Sequence, residues 1–207
     1  MHQSEAVVKD SDQAHLKIET KEACLALAFE ISKRASLQKN FSEFCLFLVN
    51  DLRAFIEFDR CFIAFHIGGP SRVIATNHQP TVEKKSESYS RMNDLALGIK
   101  DLNKGLLISC QDAECNFEGH GISDGVQSAV SAYTQFSKSC YFLSVPLTDG
   151  DKPIAHLVCE FFGDEAPSRL NVMALIESGP LITRVLSEKW MLQQKPSMGK
   201  LMNPDTP

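Results

Sequence analysis

The stretch that decides the fold is Tyr141-Phe-Leu-Ser-Val-Pro-Leu-Thr-Asp-Gly-Asp-Lys-Pro-Ile-Ala-His-Leu-Val-Cys-Glu-Phe-Phe162. Two apolar runs flank Asp149-Gly150. Glycine accepts the positive φ of the tight turns that match strand twist, so the stretch predicts a β-hairpin. A long amphipathic helix is predicted after it, opening near Pro167-Ser168, because a first-turn proline lacks only an N–H that has no partner there. Pro180, after Ser178-Gly179, is expected to kink or interrupt that helix.

Upstream, Thr20 is placed to cap a helix over about 21–36, with Cys24, Leu27, Ala28, Ile31 and Ala35 on one face. Asn40 with Glu43 has the form of a capping box and opens a helix over about 41–57. Its Phe41, Phe44, Cys45, Leu48, Leu52, Phe55 and Ile56 form a broad apolar stripe that must cover a sheet or another helix. Residues 59–67 read as a strand closed by Gly68-Gly69-Pro70, with a hairpin partner over about 71–77. The polar stretch 78–105 carries an irregular helix around 87–103, and Leu106 to Ser109 a short strand. Residues 110–124 read as a loop. Asp124 with Gln127 suits the start of a helix over about 125–137, with Val126, Ala129, Val130 and Tyr133 inward. Residues 1–20 read as a flexible lead-in, 21–192 as one domain and 193–207 as a disordered tail.

Composition narrows the class. A chain of 207 residues, 43% hydrophobic and 8% aromatic, can bury a real core. A net charge of −5, with no basic run longer than Lys84-Lys85, argues against a nucleic-acid partner. Five of the seven cysteines (Cys24, Cys45, Cys61, Cys140 and Cys159) sit inside apolar runs. That usage predicts buried thiols in a reducing cytoplasm, without a disulfide framework. The first twenty residues lack a secretion signal's apolar core. No apolar run approaches the roughly 18 to 20 residues that span a bilayer, so a soluble, cytoplasmic chain is expected.

The element order resembles the GAF family. Phe55-Ile-Glu-Phe-Asp-Arg-Cys-Phe-Ile-Ala-Phe65 is similar to that family's second helix running into its first strand, with Asp-Arg at the junction. Ser144-Val-Pro-Leu-Thr-Asp-Gly-Asp-Lys-Pro-Ile-Ala-His-Leu157 is similar to its last hairpin, with Ala155 where the family usually has glycine. The resemblance spans about 20–190 and implies an α+β, profilin-like fold: a six-stranded antiparallel sheet with the N- and C-terminal helices on one face. A small-molecule pocket roofed by the middle loops would lie on the other. It further implies a non-catalytic sensory or regulatory domain that passes ligand state through its terminal helices. Ile176-Glu-Ser-Gly-Pro-Leu-Ile182 followed by Trp190 also resembles GAF segments that precede a membrane anchor in HlyD-like secretion adaptors.

Strand alternation sorts the polar side chains by face. Phe62, Ala64 and His66 oppose Cys61, Ile63, Phe65 and Ile67. Ile154, His156, Val158, Glu160 and Phe162 oppose Ala155, Leu157, Cys159 and Phe161. The apolar sets should meet the terminal helices, and the sets with His66, His156 and Glu160 should face a pocket or solvent. Ser144, on the opposing hairpin strand, joins these as a candidate ligand contact. The plain alternative for each histidine is an exposed or internally paired ring.

Cys110, Asp112, Glu114, Cys115 and His120 cluster in the loop, and Cys110, Cys115 and His120 complete the set of candidate ligand contacts. The spacing offers soft and imidazole ligands, but structural zinc sites use tighter cysteine pairs, so no metal is assigned. A thiol redox enzyme of the free-methionine-sulfoxide-reductase type, using Cys110 and Cys115, is the rival from a different class. A dimerisation scaffold without ligand is a third. The free N–H groups opening the helix near 125 offer a place for an anionic group, against the plain alternative of an ordinary capped helix.

Leu181, Val185 and Leu186 could pair with a symmetry mate in a homodimer, or pack on their own sheet. Asn103-Lys104 with Phe117 lacks the acidic pair of cyclic-nucleotide GAF domains. No Cys-His pair matches bilin attachment in phytochrome-type ones. No phosphate loop, nucleophile elbow or two-carboxylate metal motif occurs, and the sequence singles out no cofactor.

Overall fold

The computed structural model describes residues 21–77, 85–111, 114–118 and 121–194. The expected lead-in, Thr20, Lys84, Asp112, His120 and the tail from 195 lie outside the described residues. Residues 21–36 are helical (α1), followed by α2 (Phe41–Asn50) and a 3₁₀ turn (Asp51–Ala54). Strands β1 (Arg60–Phe65) and β2 (Arg72–Thr76) come next, then α3 (Glu87–Ile99), β3 (Leu106–Gln111) and β4 (Glu114–Cys115). The described residues finish with α4 (Asp124–Ser137), β5 (Tyr141–Asp149), β6 (Lys152–Phe161) and α5 (Arg169–Gln194).

The six strands form one sheet in the order β2-β1-β6-β5-β3-β4, with every pairing antiparallel. The long hairpin lies at its centre. Gly150 turns it at φ 63°, the positive φ that Asp-Gly announces. The expected capping box is present: Asn40 Oδ1 accepts the Glu43 N–H at 2.9 Å, while Glu43 Oε2 accepts the Lys39 N–H at 3.1 Å.

Alternation works as expected on one face. Cys61, Ile63, Phe65, Leu143, Val145, Leu157, Cys159 and Phe161 join α1, α2 and α5 in the largest buried cluster. Trp190 of α5 closes it, its ring 4.9 Å from Phe65 and 5.3 Å from Phe41. Ile154 departs from the expected set and sits in this cluster beside Ala155, because the β5–β6 register shifts between Leu147 and Thr148. On the other face, Phe62, Leu106, Ile108, Phe142 and Val158 pack under α3 and α4. Asn93 of α3 accepts the Val73 N–H at 2.7 Å and ties that helix to the edge strand β2.

Several local expectations are corrected. The helix expected to about 57 leaves α geometry at Asn50 and tightens into the 3₁₀ turn that buries Leu52. The helix around 87–103 is regular, capped by Ser86, whose Oγ accepts the Tyr89 N–H. Ser123, not Asp124, holds the N-cap position of α4, and Gln127 instead donates to the Ile122 carbonyl. α5 runs through Pro180 without interruption. That proline is solvent-facing, so water can take the carbonyl it leaves free. Leu186 is fully buried in this domain's own core and Val185 packs against it, which leaves Leu181 as the exposed member of that stripe.

Candidate functional site

The face under α3 and α4 carries two polar clusters, one at each end of the β1–β6 pair. Ala64 lies opposite His156 and Arg60 opposite Glu160 in the register, so the buried members of the two clusters stand four positions apart on β6.

The first cluster is a directed chain. His156 Nε2 lies 2.7 Å from the Leu102 carbonyl, which can only accept, so that nitrogen carries the proton. His156 Nδ1 is then an acceptor, and His66 Nε2 donates to it across 2.7 Å. His66 Nδ1 is left to accept from Ser71 Oγ at 3.0 Å. Every ring nitrogen is satisfied with both imidazoles neutral. Burial lowers His66 to about 4, against a nearby Asp101 that raises it. Burial lowers His156 to about 3, with a smaller opposing pull from the Leu102 carbonyl. His66 reaches the surface and His156 is fully buried.

The second cluster is built on Glu160, which is fully buried. Tyr133 of α4 donates to Glu160 Oε2 at 2.8 Å, and Arg60 Nη1 lies 3.3 Å from the same oxygen. Burial pushes the Glu160 carboxyl above its usual range, while Arg60, Ser137, Tyr133 and Ser139 pull it back. Oε1 makes no hydrogen bond to a described residue. Ser144 Oγ is buried on the same face in the same condition. Ser144 pairs with Val158, so His156 and Glu160 are its two diagonal neighbours on β6. The Asp-Arg junction gains a physical role here. Asp59 Oδ2 accepts the Phe162 N–H at 2.7 Å, which pins the end of β6, and Arg60 partners Glu160.

Of the mixed set, expected to face a pocket or solvent, His156 and Glu160 are sealed from solvent beneath the helices. The tight approach of α3 and α4 explains the seal: a Cβ at Gly98 would collide with the Cβ of Ala129. An open groove of about 460 Å³ lies elsewhere, between α1 and α2, lined by Arg34, Gln38, Phe47, Asn50 and Asp51 among others. It touches none of the residues nominated from the sequence.

Cys110 and Cys115 are not free thiols. They are bridged across the β3–β4 pair, where they are register partners with Cα atoms 4.0 Å apart. This corrects the expectation of a chain without disulfides, although Cys24, Cys45, Cys61, Cys140 and Cys159 remain thiols. Bridging also consumes the two thiolates a soft metal would need. Among the described residues no three His, Cys, Asp or Glu side chains gather as metal ligands. Arg60 and Tyr133 were missed as partners of Glu160, though Tyr133 was expected to point inward.

No family model and no curated protein matches the chain. Solved structures do. The photosensory core module of a Stigmatella aurantiaca phytochrome superposes with a TM-score of 0.55 at 17% identity, covering 83% of this chain and 37% of that one. The chromophore-binding domain of an unusual bacteriophytochrome from R. palustris gives 0.58 at 12% identity, covering 81% and 61%. A GAF domain assigned to a sensor histidine kinase of Pseudomonas syringae pv. tomato gives 0.50 at 12% identity, covering 87% and 96%. The chain therefore spans about a third to three fifths of the length of those phytochrome structures. Its fold is GAF-like: α+β, with a six-stranded antiparallel sheet between two helical layers. The likeness of 176–190 to secretion adaptors finds no support in these matches. Among the described residues no helix is long and apolar enough to cross a membrane.

Proposed function

We propose that this is a regulatory, ligand-sensing domain whose small-molecule site lies on the sheet face covered by α3 and α4. One observation carries the reading: hydrogen-bonding capacity without a partner is buried on that face, at Ser144 Oγ and Glu160 Oε1. Buried polar groups are normally satisfied, and an orphan costs about 1 to 3 kcal/mol, so two on one face point to an occupant that completes them. His66 gives this face an edge open to solvent. The phytochrome and kinase domains of similar fold are sensory by their names, which supports the class and leaves the ligand open.

Ligand binding between sheet and α3–α4 would act by favouring one of two helix arrangements, which requires different affinity for each. The terminal helices α1 and α5, on the far face of the same sheet, are the route by which that state would leave the domain, and a homodimer through them fits this role. The five remaining thiols suit a cytoplasmic setting. The site is a binding site and not a catalytic one in this reading.

Native mass spectrometry of the purified chain, followed by thermal-shift screening of small polar molecules, tests the proposal. A bound molecule should raise the melting temperature of the wild type and lose that effect in Ser144→Ala and Glu160→Gln. Bare mass together with no shift across the screen would sink it. A thiol redox enzyme is the second reading, favoured by the Cys110–Cys115 bridge. Sulfoxide or peroxide turnover unchanged in Cys110→Ser and Cys115→Ser would exclude it.

A further inference from the structure

We propose that the Cys110–Cys115 bridge is a thiol–disulfide exchange site for low-molecular-weight thiols, and that its redox state sets how α4 seats on the sheet. The bridge joins β3 to β4, a strand of only two residues at the sheet edge. Beyond the pairing itself, the Asn116 N–H to Ser109 carbonyl bond at 2.9 Å continues this contact. Losing the bridge therefore leaves the edge held by a few backbone bonds.

The two sulfurs differ in access. Cys110 is 3% exposed and sits in the apolar cluster under α3 and α4, whereas Cys115 is only partly buried. Cys140, the nearest free thiol along the sheet, points its Sγ at the Phe162 carbonyl and not at the bridge. Exchange thus depends on an external thiol, such as glutathione, and we place its attack at Cys115, the more exposed of the two residues.

Attack by an external thiolate on Cys115 Sγ forms a mixed disulfide and breaks the protein S–S bond. The electron pair leaves on Cys110 Sγ, which takes a proton because its apolar surroundings disfavour the thiolate. A second external thiolate attacks the external sulfur of the mixed disulfide and releases Cys115, which is protonated in turn. The sum is one protein disulfide reduced by two thiols, giving two protein thiols and one external disulfide.

The consequence runs through adjacent residues of α4. Cys115 Sγ lies 3.0 Å from Thr134 Oγ1, and the neighbouring Tyr133 donates to Glu160 at 2.8 Å. Both side chains are buried, so α4 meets the bridge and the buried carboxylate in the same turn. Thr134 donates its one hydroxyl hydrogen to the Val130 carbonyl at 2.9 Å, so in the bridged state its oxygen meets a sulfur that has no proton to give; a reduced Cys115 gains an S–H that can donate to that oxygen. Together with a loosened β4, that changes the footing of Tyr133. The regulatory meaning rests on the function proposed above, whereas the exchange itself does not.

The full chain, equilibrated in glutathione mixtures from reduced to oxidised, provides the test. Alkylation and mass analysis should count the five free cysteines in the oxidised mixture and all seven in the reduced one. Amide exchange of α4 peptides should be several-fold faster in the reduced form, with β5 and β6 unchanged. Thr134→Val, which keeps the bridge, should abolish most of that difference. Seven thiols in every mixture, a bridge that glutathione never opens, or α4 exchange identical in both forms would each overturn the proposal. Failure of the ligand screen with these results intact would remove the sensory reading and leave the exchange site standing.

Discussion

The two faces of this sheet are built from the same strands by opposite rules. Under α1, α2 and α5 the strands contribute mostly apolar side chains to the largest buried cluster. Under α3 and α4 the alternate residues of those strands bring in His156, Glu160 and Ser144, with Tyr133 added from α4. Burying such groups is unfavourable unless each is partnered, so a face that keeps them gives up stability the other face retains. The difference separates a face that holds the domain together from one that carries buried polar groups at a cost in stability.

The contrast is sharpest where the apolar face is damaged. Phe65 is fully buried and meets Trp190 and Phe41 edge to face. Phe65→Ala should cost about 3 to 5 kcal/mol, measured as a lowered denaturation midpoint with a changed Trp190 emission. A loss under about 1 kcal/mol would show that this face is not the stabilising one.

The next largest effect belongs to the histidine chain. An unfolded histidine titrates near 6.5, while burial holds His66 at about 4 and His156 at about 3. The unfolded chain therefore binds protons the folded one refuses. Stability is full above about pH 6.5 and is lost as pH falls toward 3. At pH 5, His156 alone accounts for about 2 kcal/mol. Urea unfolding at pH 7 and pH 5 should show this difference, reduced in His156→Leu. An equal drop in that variant would assign the pH dependence to other groups.

Gly98 tests what closes the polar face. Alanine in a helix interior is ordinarily favoured over glycine by roughly 0.5 to 1 kcal/mol. Here the added methyl meets Ala129, so Gly98→Ala should instead destabilise by about 1 kcal/mol. Combining it with Ala129→Gly should recover most of the loss. Thermal melts of the single and double variants decide this, and a stabilised single variant would mean that α3 and α4 are not closely apposed.

How far this was legible in sequence follows the range of the interactions. The central hairpin and the face assignments rest on a two-residue turn signal and a period of two, both local, and they could be read directly. The proximity of His66 and His156 could be read only as a shared face, because their contact depends on the β1–β6 register. β4 was invisible, since two residues in a polar loop carry no periodicity. The Cys110–Cys115 bridge was equally so, because a five-residue separation does not reveal whether the chain turns back between them. Glu160 was placed on the correct strand face, but its burial depends on how closely α4 lies, which side-chain pattern alone does not set. Tyr133 and Arg60 were within reach: one was expected inward on its helix, the other begins the strand next to β6.

The smallest expected effect, that of a double variant, is the most discriminating. Tyr133→Phe removes the donor to Glu160 Oε2 and leaves a buried carboxyl with Arg60 as its ion-pair partner and the Ser137 and Ser139 hydroxyls nearby, at a cost of about 1 to 2 kcal/mol. Replacing both, as Tyr133→Phe with Glu160→Met, removes the polar pair altogether. Arg60 is 30% exposed at its side chain and can turn to water. Apolar groups of similar size in place of a buried polar pair are often neutral or stabilising, so the double variant should lie within about 1 kcal/mol of the wild type. Denaturant unfolding of the set would show it. If the double variant is instead several kcal/mol worse than Tyr133→Phe, the pair is a structural fixture and the polar face needs no function to explain it. If it is as stable as the wild type, the carboxyl is kept for something other than stability, and binding is the use its open oxygen supports.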